Sequence, residues 1–179
     1  MAFNTNRWRI SSFNGVLLAA YFIPTWTLIA FRIMVSPIHS FYERPNVSLA
    51  FFVSDYLQLA SVGTVRAAWL LALGRLTVVA FFAIFLFLVS RAQIRKTGGS
   101  DEALAIALGI GSLISFTMML MASQVGETQA MRLHATELLL LLGNVIVLAV
   151  EEPLVKVFSD RNVPAQSLAL EQPQLLEHG

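Results

Sequence analysis

From Ala103 to Ala122 the chain runs for twenty residues without a charge. At about 1.5 Å per residue that run crosses the roughly 30 Å hydrocarbon core of a bilayer as a helix. Backbone polar groups in lipid must be satisfied within the protein, so spanning segments are helices or closed barrels. Runs of this length suit helices. Three more apolar stretches accompany this one, and the spacing predicts spans at about 14–35, 67–90, 103–122 and 133–155. The fold class that follows is an all-α integral membrane protein, four transmembrane helices in a bundle. Composition agrees: 56% of residues are hydrophobic and 13% charged, against about 45–50% and about 25% in soluble domains.

The first span follows Arg7 and Arg9 and holds Gly15 to Phe31, seventeen residues free of charge. Pro24 and Thr25 interrupt it and no small-x-small cleavage site follows, so it reads as a retained helix rather than a signal peptide. Pro24 removes a backbone donor and is expected to bend it. Ser36 to Asn46 reads as an interfacial loop, broken by Pro37 and Pro45 and mixing aromatic with charged residues. Over about 47–61, Ser48, Asp55, Gln58 and Ser61 fall on one side of a helix and apolar residues cover the rest. That pattern predicts an amphipathic interfacial helix between the first and second spans. A fifth span is the rival, but it is short before Gly63 and would bury Asp55 near its middle. Ser100, Asp101 and Glu102 make a helix start, a capping hydroxyl followed by acids at the positive helix end. The fourth helix is expected to leave the bilayer near Pro153. Residues 1–13 then form a cytoplasmic N-terminal segment and 159–179 a flexible cytoplasmic tail, in which Ala165 to Glu171 form at most two weak turns.

Four spans put both termini on one side. With that side cytoplasmic, seven basic residues (Arg7, Arg9, Arg91, Arg95, Lys96, Lys156 and Arg161) lie inside and four (Arg32, Arg44, Arg66 and Arg132) outside. The bias favours cytoplasmic termini, and the expected location is a bacterial inner (plasma) membrane.

Two patterns stand out within the spans. On the third, Ala103, Ala107, Gly111 and Ser115 recur every four residues, a small-residue ridge of the kind that lets helix backbones approach closely in lipid. It serves packing inside the bundle or contact with another subunit. On the fourth, Glu137, Asn144 and Glu151 are spaced by seven and share a face, with His134 one turn before Glu137. Arg75 stands alone inside the second span. A membrane-central arginine costs about 2.5–3.5 kcal/mol on insertion scales, so a partner is required. Counting helical rise from the outer ends puts Arg75 level with Asn144, and the expectation is a bond to Asn144 or to backbone carbonyls, leaning toward Glu137. Arg75, Glu137, Asn144 and Glu151 thus form a predicted intramembrane polar cluster. Its roles are fixing helix register or marking an ion, proton or anion path. His39 and His134 both fall near the outer face, where two histidines at one depth are conceivable haem ligands.

Cysteine is absent, which removes disulfides, thiolate metal sites, iron–sulfur clusters and a cysteine nucleophile. No phosphate loop, dinucleotide fingerprint or nucleophile elbow is present. Formal charge is +1, so no field draws nucleic acid. The leading expectation is a non-catalytic integral subunit or assembly factor of a larger membrane complex, with no cofactor. Its partners are the lipid bilayer and other membrane subunits or further copies. A small oligomeric transporter or channel using the polar cluster is the alternative. A haem- or quinone-binding anchor using His39 and His134 is weaker.

Overall fold

The computed structural model describes residues 10–91 and 99–171, with side chains through residue 151. The Arg7–Arg9 pair, Arg95 with Lys96, and residues 172–179 lie outside the described residues. Within them there is no strand. Six helices follow in order: α1 (Ile10–Val35), α2 (Pro37–Phe41), α3 (Val47–Asp55), α4 (Ser61–Ser90), α5 (Asp101–Val125) and α6 (Thr128–Glu171). α1, α4, α5 and the Thr128–Glu151 part of α6 are long and apolar enough to cross a membrane. Their outward faces carry large exposed apolar side chains, Leu139 at 72% and Leu70 at 70% among them. Water would not tolerate that surface and acyl chains do. The chain is an all-α membrane bundle of four spans.

The helices form a ring. α1 lies on α4, α4 on α5 and α5 on α6, while the fourth seam, α1 against α6, is the loosest. An aromatic and aliphatic core fills the ring: Phe22 stacks on Phe82 at 5.8 Å and meets Trp26 edge-on at 5.0 Å, with Phe85, Leu104, Leu108 and Leu141 closing around them. Gly126 ends α5 in the left-handed conformation that favours glycine (φ 78°). The Glu127 N–H then reaches back to the Ala122 carbonyl at 2.9 Å, a glycine C-terminal cap that turns α5 into α6 within two residues.

The small-residue ridge faces inward. Ala103, Ala107, Gly111 and Ser115 are all buried, and a Cβ on Gly111 would touch Leu141 of α6 at 3.3 Å and Val78 of α4 at 3.6 Å. The ridge therefore sets the spacing of three helices of one chain. Closer still is Gly15 of α1, where a Cβ would lie 2.8 Å from Phe85 and 2.9 Å from Leu104.

Several boundaries differ from the sequence reading. α4 begins at Ser61 rather than near 67, because the predicted interfacial helix stops at Asp55. Gln58 then takes a left-handed φ of 45° and the chain reverses into α4. The four polar residues proposed as one stripe therefore do not share a helix. Ala50 and Val53 pack against the ends of α1 and α4, and Ser48 is buried too, while Asp55, Gln58 and Ser61 are exposed. The stretch read as loop contains α2, started by Pro37, a residue suited to the first helical turn. α1 continues unbroken through Pro24. Ser100 occupies the cap position of α5, but its hydroxyl makes no cap bond. The backbone of α6 stays helical through Pro153 and Pro164 to Glu171, where a flexible tail was expected from 159; strong helix formers between Ala165 and Glu171 favour that continuation.

Glycine position decides the cost of adding a side chain here. Gly15→Val should lower stability in detergent by about 1–3 kcal/mol through overpacking. Gly109→Val, where a Cβ meets nothing within 4 Å, should leave thermal unfolding nearly unchanged. Thermal unfolding of the two purified variants checks the contrast.

Candidate functional site

Arg75 is 1% exposed and faces the interior of the ring. One guanidinium nitrogen donates to Asn46 Oδ1 at 2.6 Å and another to the Pro45 carbonyl at 3.4 Å. Its carbon lies 5.7 Å from the centre of the Trp26 ring. The Trp26 indole N–H donates to Glu137 Oε1 at 3.2 Å, and His134 Nδ1 lies 3.0 Å from Glu137 Oε2. Trp26 thus stands between the cation and the carboxylate, its face toward one and its N–H toward the other.

Asn46 precedes the first residue of α3, a position where asparagine ordinarily caps the helix with its side chain. Here it makes no such cap. Its carboxamide is committed elsewhere: Oδ1 accepts from Arg75, and Nδ2 donates to the Ser40 carbonyl at 2.8 Å. The Ser40 hydroxyl in turn donates to the Arg32 carbonyl at 3.0 Å. The guanidinium of α4 is therefore tied through the α2–α3 connection to the last turn of α1. Phe41 and Ala50 bury beside this path, so the connection is tucked among the helix ends.

The expected bond from Arg75 to Asn144 is absent. Asn144 lies seven residues beyond Glu137, about 10 Å along α6, and the arginine reaches the other way, toward the α2–α3 end. Arg75 and Glu137 share a layer because both touch Trp26. Asn144 is 4% exposed, and neither of its amide atoms has a partner among the described residues. Glu151 sits about 21 Å from Glu137 along the helix and does something different. Its two carboxylate oxygens accept the backbone N–H groups of Ile10 at 3.0 Å and Ser11 at 2.9 Å. Both amides belong to the first described turn of α1. The Glu151 carboxylate of α6 thus holds that turn. The predicted four-residue cluster divides into an Arg75–Glu137 centre, an orphaned Asn144 and a Glu151 clamp.

The histidines separate too. His39 is exposed on α2 and His134 is buried at 1% against Glu137, so they occupy different environments rather than one cleft. No group of three or more His, Asp or Glu converges among the described residues. Trp26 and Asn46 were missed by sequence reasoning. Trp26 carried a signal, an indole donor at mid-span that must find an acceptor when buried. Asn46 carried none, since its role depends on how the connection folds.

Between the Trp26–Glu137 contact and the Glu151 clamp, the α1–α6 seam opens into a groove of about 480 Å³. Leu17, Leu18 and Tyr21 form one wall, Leu139, Leu140 and Val147 the other, with Asn14, Gly143 and Asn144 between.

Truncating one buried charge strands the other groups. Arg75→Leu should destabilise the bundle by about 3–5 kcal/mol, and adding Glu137→Leu should recover part of that loss. A double-mutant cycle read by thermal unfolding measures the coupling. Asn144→Leu should raise stability by about 1–3 kcal/mol, because it removes an unsatisfied buried amide. Comparison with protein-family models, curated proteins and solved structures gives no match.

Proposed function

We propose that the chain is a non-catalytic integral membrane subunit or assembly factor of a larger membrane complex, placed in a bacterial inner membrane with both termini cytoplasmic. The observation that carries this reading is where the intramembrane charges are used. Arg75 holds the α2–α3 connection, Glu137 holds Trp26 and His134, and Glu151 holds the start of α1. A catalyst or a transport path presents such groups to a substrate; these bind helices to one another.

Two surfaces remain for contact. At the turn from α3 into α4, Phe51, Tyr56, Leu57 and Leu59 are exposed beside Asp55. At the other end, α6 continues twenty residues past Glu151, an arm of about 30 Å at helical rise. The part of that arm beyond the 133–155 span supports a docking role for a chain of 19.7 kDa. The seven-to-four basic bias supports the orientation.

Purification of the full chain from its native membrane in mild detergent tests the reading. Stoichiometric co-purification of other membrane proteins, in a particle far larger than one chain, is the expected result. A lone homo-oligomer that conducts ions or solutes in liposomes, with flux lost in Arg75→Gln, would replace it with the transporter reading. A Soret band in the purified protein would bring back the haem anchor.

A further inference from the structure

We infer that the groove between α1 and α6 is a binding site for an uncharged, headgroup-free lipid that carries a carbonyl or hydroxyl oxygen within its apolar body. The seam is fastened at two points about 21 Å apart along α6: Trp26 to Glu137 at one, Ile10 and Ser11 to Glu151 at the other. Between them the helices part, and the groove of about 480 Å³ falls within the range of small-ligand sites.

Its lining has one distinctive member. Asn144 is 4% exposed and both of its amide atoms lack a partner. Leu17, Leu18, Leu139, Leu140 and Val147 around it offer no hydrogen bond, Asn14 and Tyr21 add an amide and a hydroxyl from α1, and no charged side chain lines the groove. In this rotamer the amide atoms are covered. Binding requires the side chain to turn about its broad terminal torsion so that the amide meets the ligand. An ordinary acyl chain would fill the apolar walls and leave the amide as orphaned as before. A lipid with an oxygen at this level would satisfy it.

Depth selects the class. Asn144 lies seven residues, about 10 Å, inside Glu151, at the middle of the 133–155 span read from the sequence. Phospholipid ester groups sit at the edge of the hydrocarbon layer, too far out to meet it. The absence of lining charge leaves nothing to hold a phosphate or an ammonium. What fits is a neutral molecule whose oxygen partitions into hydrocarbon.

A matched pair of probes isolates that oxygen: heptadecan-9-one and heptadecane, each titrated into the purified full chain in detergent. The ketone should raise the thermal unfolding temperature, and its ¹³C-labelled carbonyl stretch should shift to lower frequency on binding. Asn144→Leu should weaken ketone binding about tenfold, the loss of one hydrogen bond of roughly 1.4 kcal/mol, and abolish the infrared shift. Gly143→Phe is the second variant. A Cβ at Gly143 meets nothing within 4 Å, so this residue blocks the groove from outside while the interior keeps its packing; it should abolish binding with the fold intact. Equal stabilisation by heptadecane overturns the inference. So do ketone binding unchanged in both variants, absence of any ketone effect on the wild-type chain, and dioleoylphosphatidylcholine reproducing the effect with the same dependence on Asn144.

Discussion

A guanidinium enclosed by apolar helices is the constraint on which the half of this bundle around the α2–α3 connection depends. Removing an arginine from water is tolerable only when its donors meet acceptors and its charge meets a compensating field. α4 alone offers no free acceptor, because its own carbonyls are engaged in helical bonds. The nearest solution is a piece of non-helical backbone brought to the arginine. Pro45 exposes a carbonyl and Asn46 an amide oxygen, and both turn to Arg75. Irregular backbone at this depth is admissible only when enclosed by protein. The packing of Phe41, Ala50 and Val53 against α1 and α4 provides that enclosure. The charge thus recruits the connection, and the connection shields the charge.

The same logic places Trp26. Its indole offers an apolar body, a face favourable to cations and one donor, three properties that separate Arg75 from Glu137 without isolating either. A direct ion pair would fix two side chains on two helices. Routing the contact through α1 fixes three, and with Asn46 it adds the α2–α3 connection.

How far the sequence disclosed this depends on the range of each interaction. The four spans were legible because hydrophobic length is a property of consecutive residues. The ridge of Ala103, Ala107, Gly111 and Ser115 was legible as a packing surface because helical periodicity places those positions on one face. Its orientation toward Leu141 and Val78 was not, since nothing in α5 alone says which side meets protein and which meets lipid. The need of Arg75 for a partner was legible; Asn46 as that partner was not. Counting rise from helix ends assumes rods with known ends, and α4 starts six residues earlier than its apolar run. The count also cannot register a connection folded back among the helices. Glu151 shows the same limit. Its carboxylate finds its donors in the backbone N–H groups of Ile10 and Ser11, on a helix at the opposite end of the sequence.

These long-range contacts also explain why the ring is uneven. Three of its seams follow close-packed ridges and large core side chains, in which dispersion accumulates along the whole helix. The α1–α6 seam is held instead by polar fastenings near its two ends, and hydrogen bonds act only where their atoms meet. Gly143, without a side chain, stands between Leu139 and Val147, just where α1 would need something to pack against. A seam closed at its ends and unfilled in its middle is a consequence of putting Glu137 and Glu151 fourteen residues apart with a glycine between them. Asn144 falls in that unfilled length. It is the one strongly polar side chain on α6 between the fastenings, and its covered amide atoms meet no polar partner among the described residues. A buried amide without a partner costs about 1–3 kcal/mol, so the least filled seam of the ring is destabilised just where its two helices part.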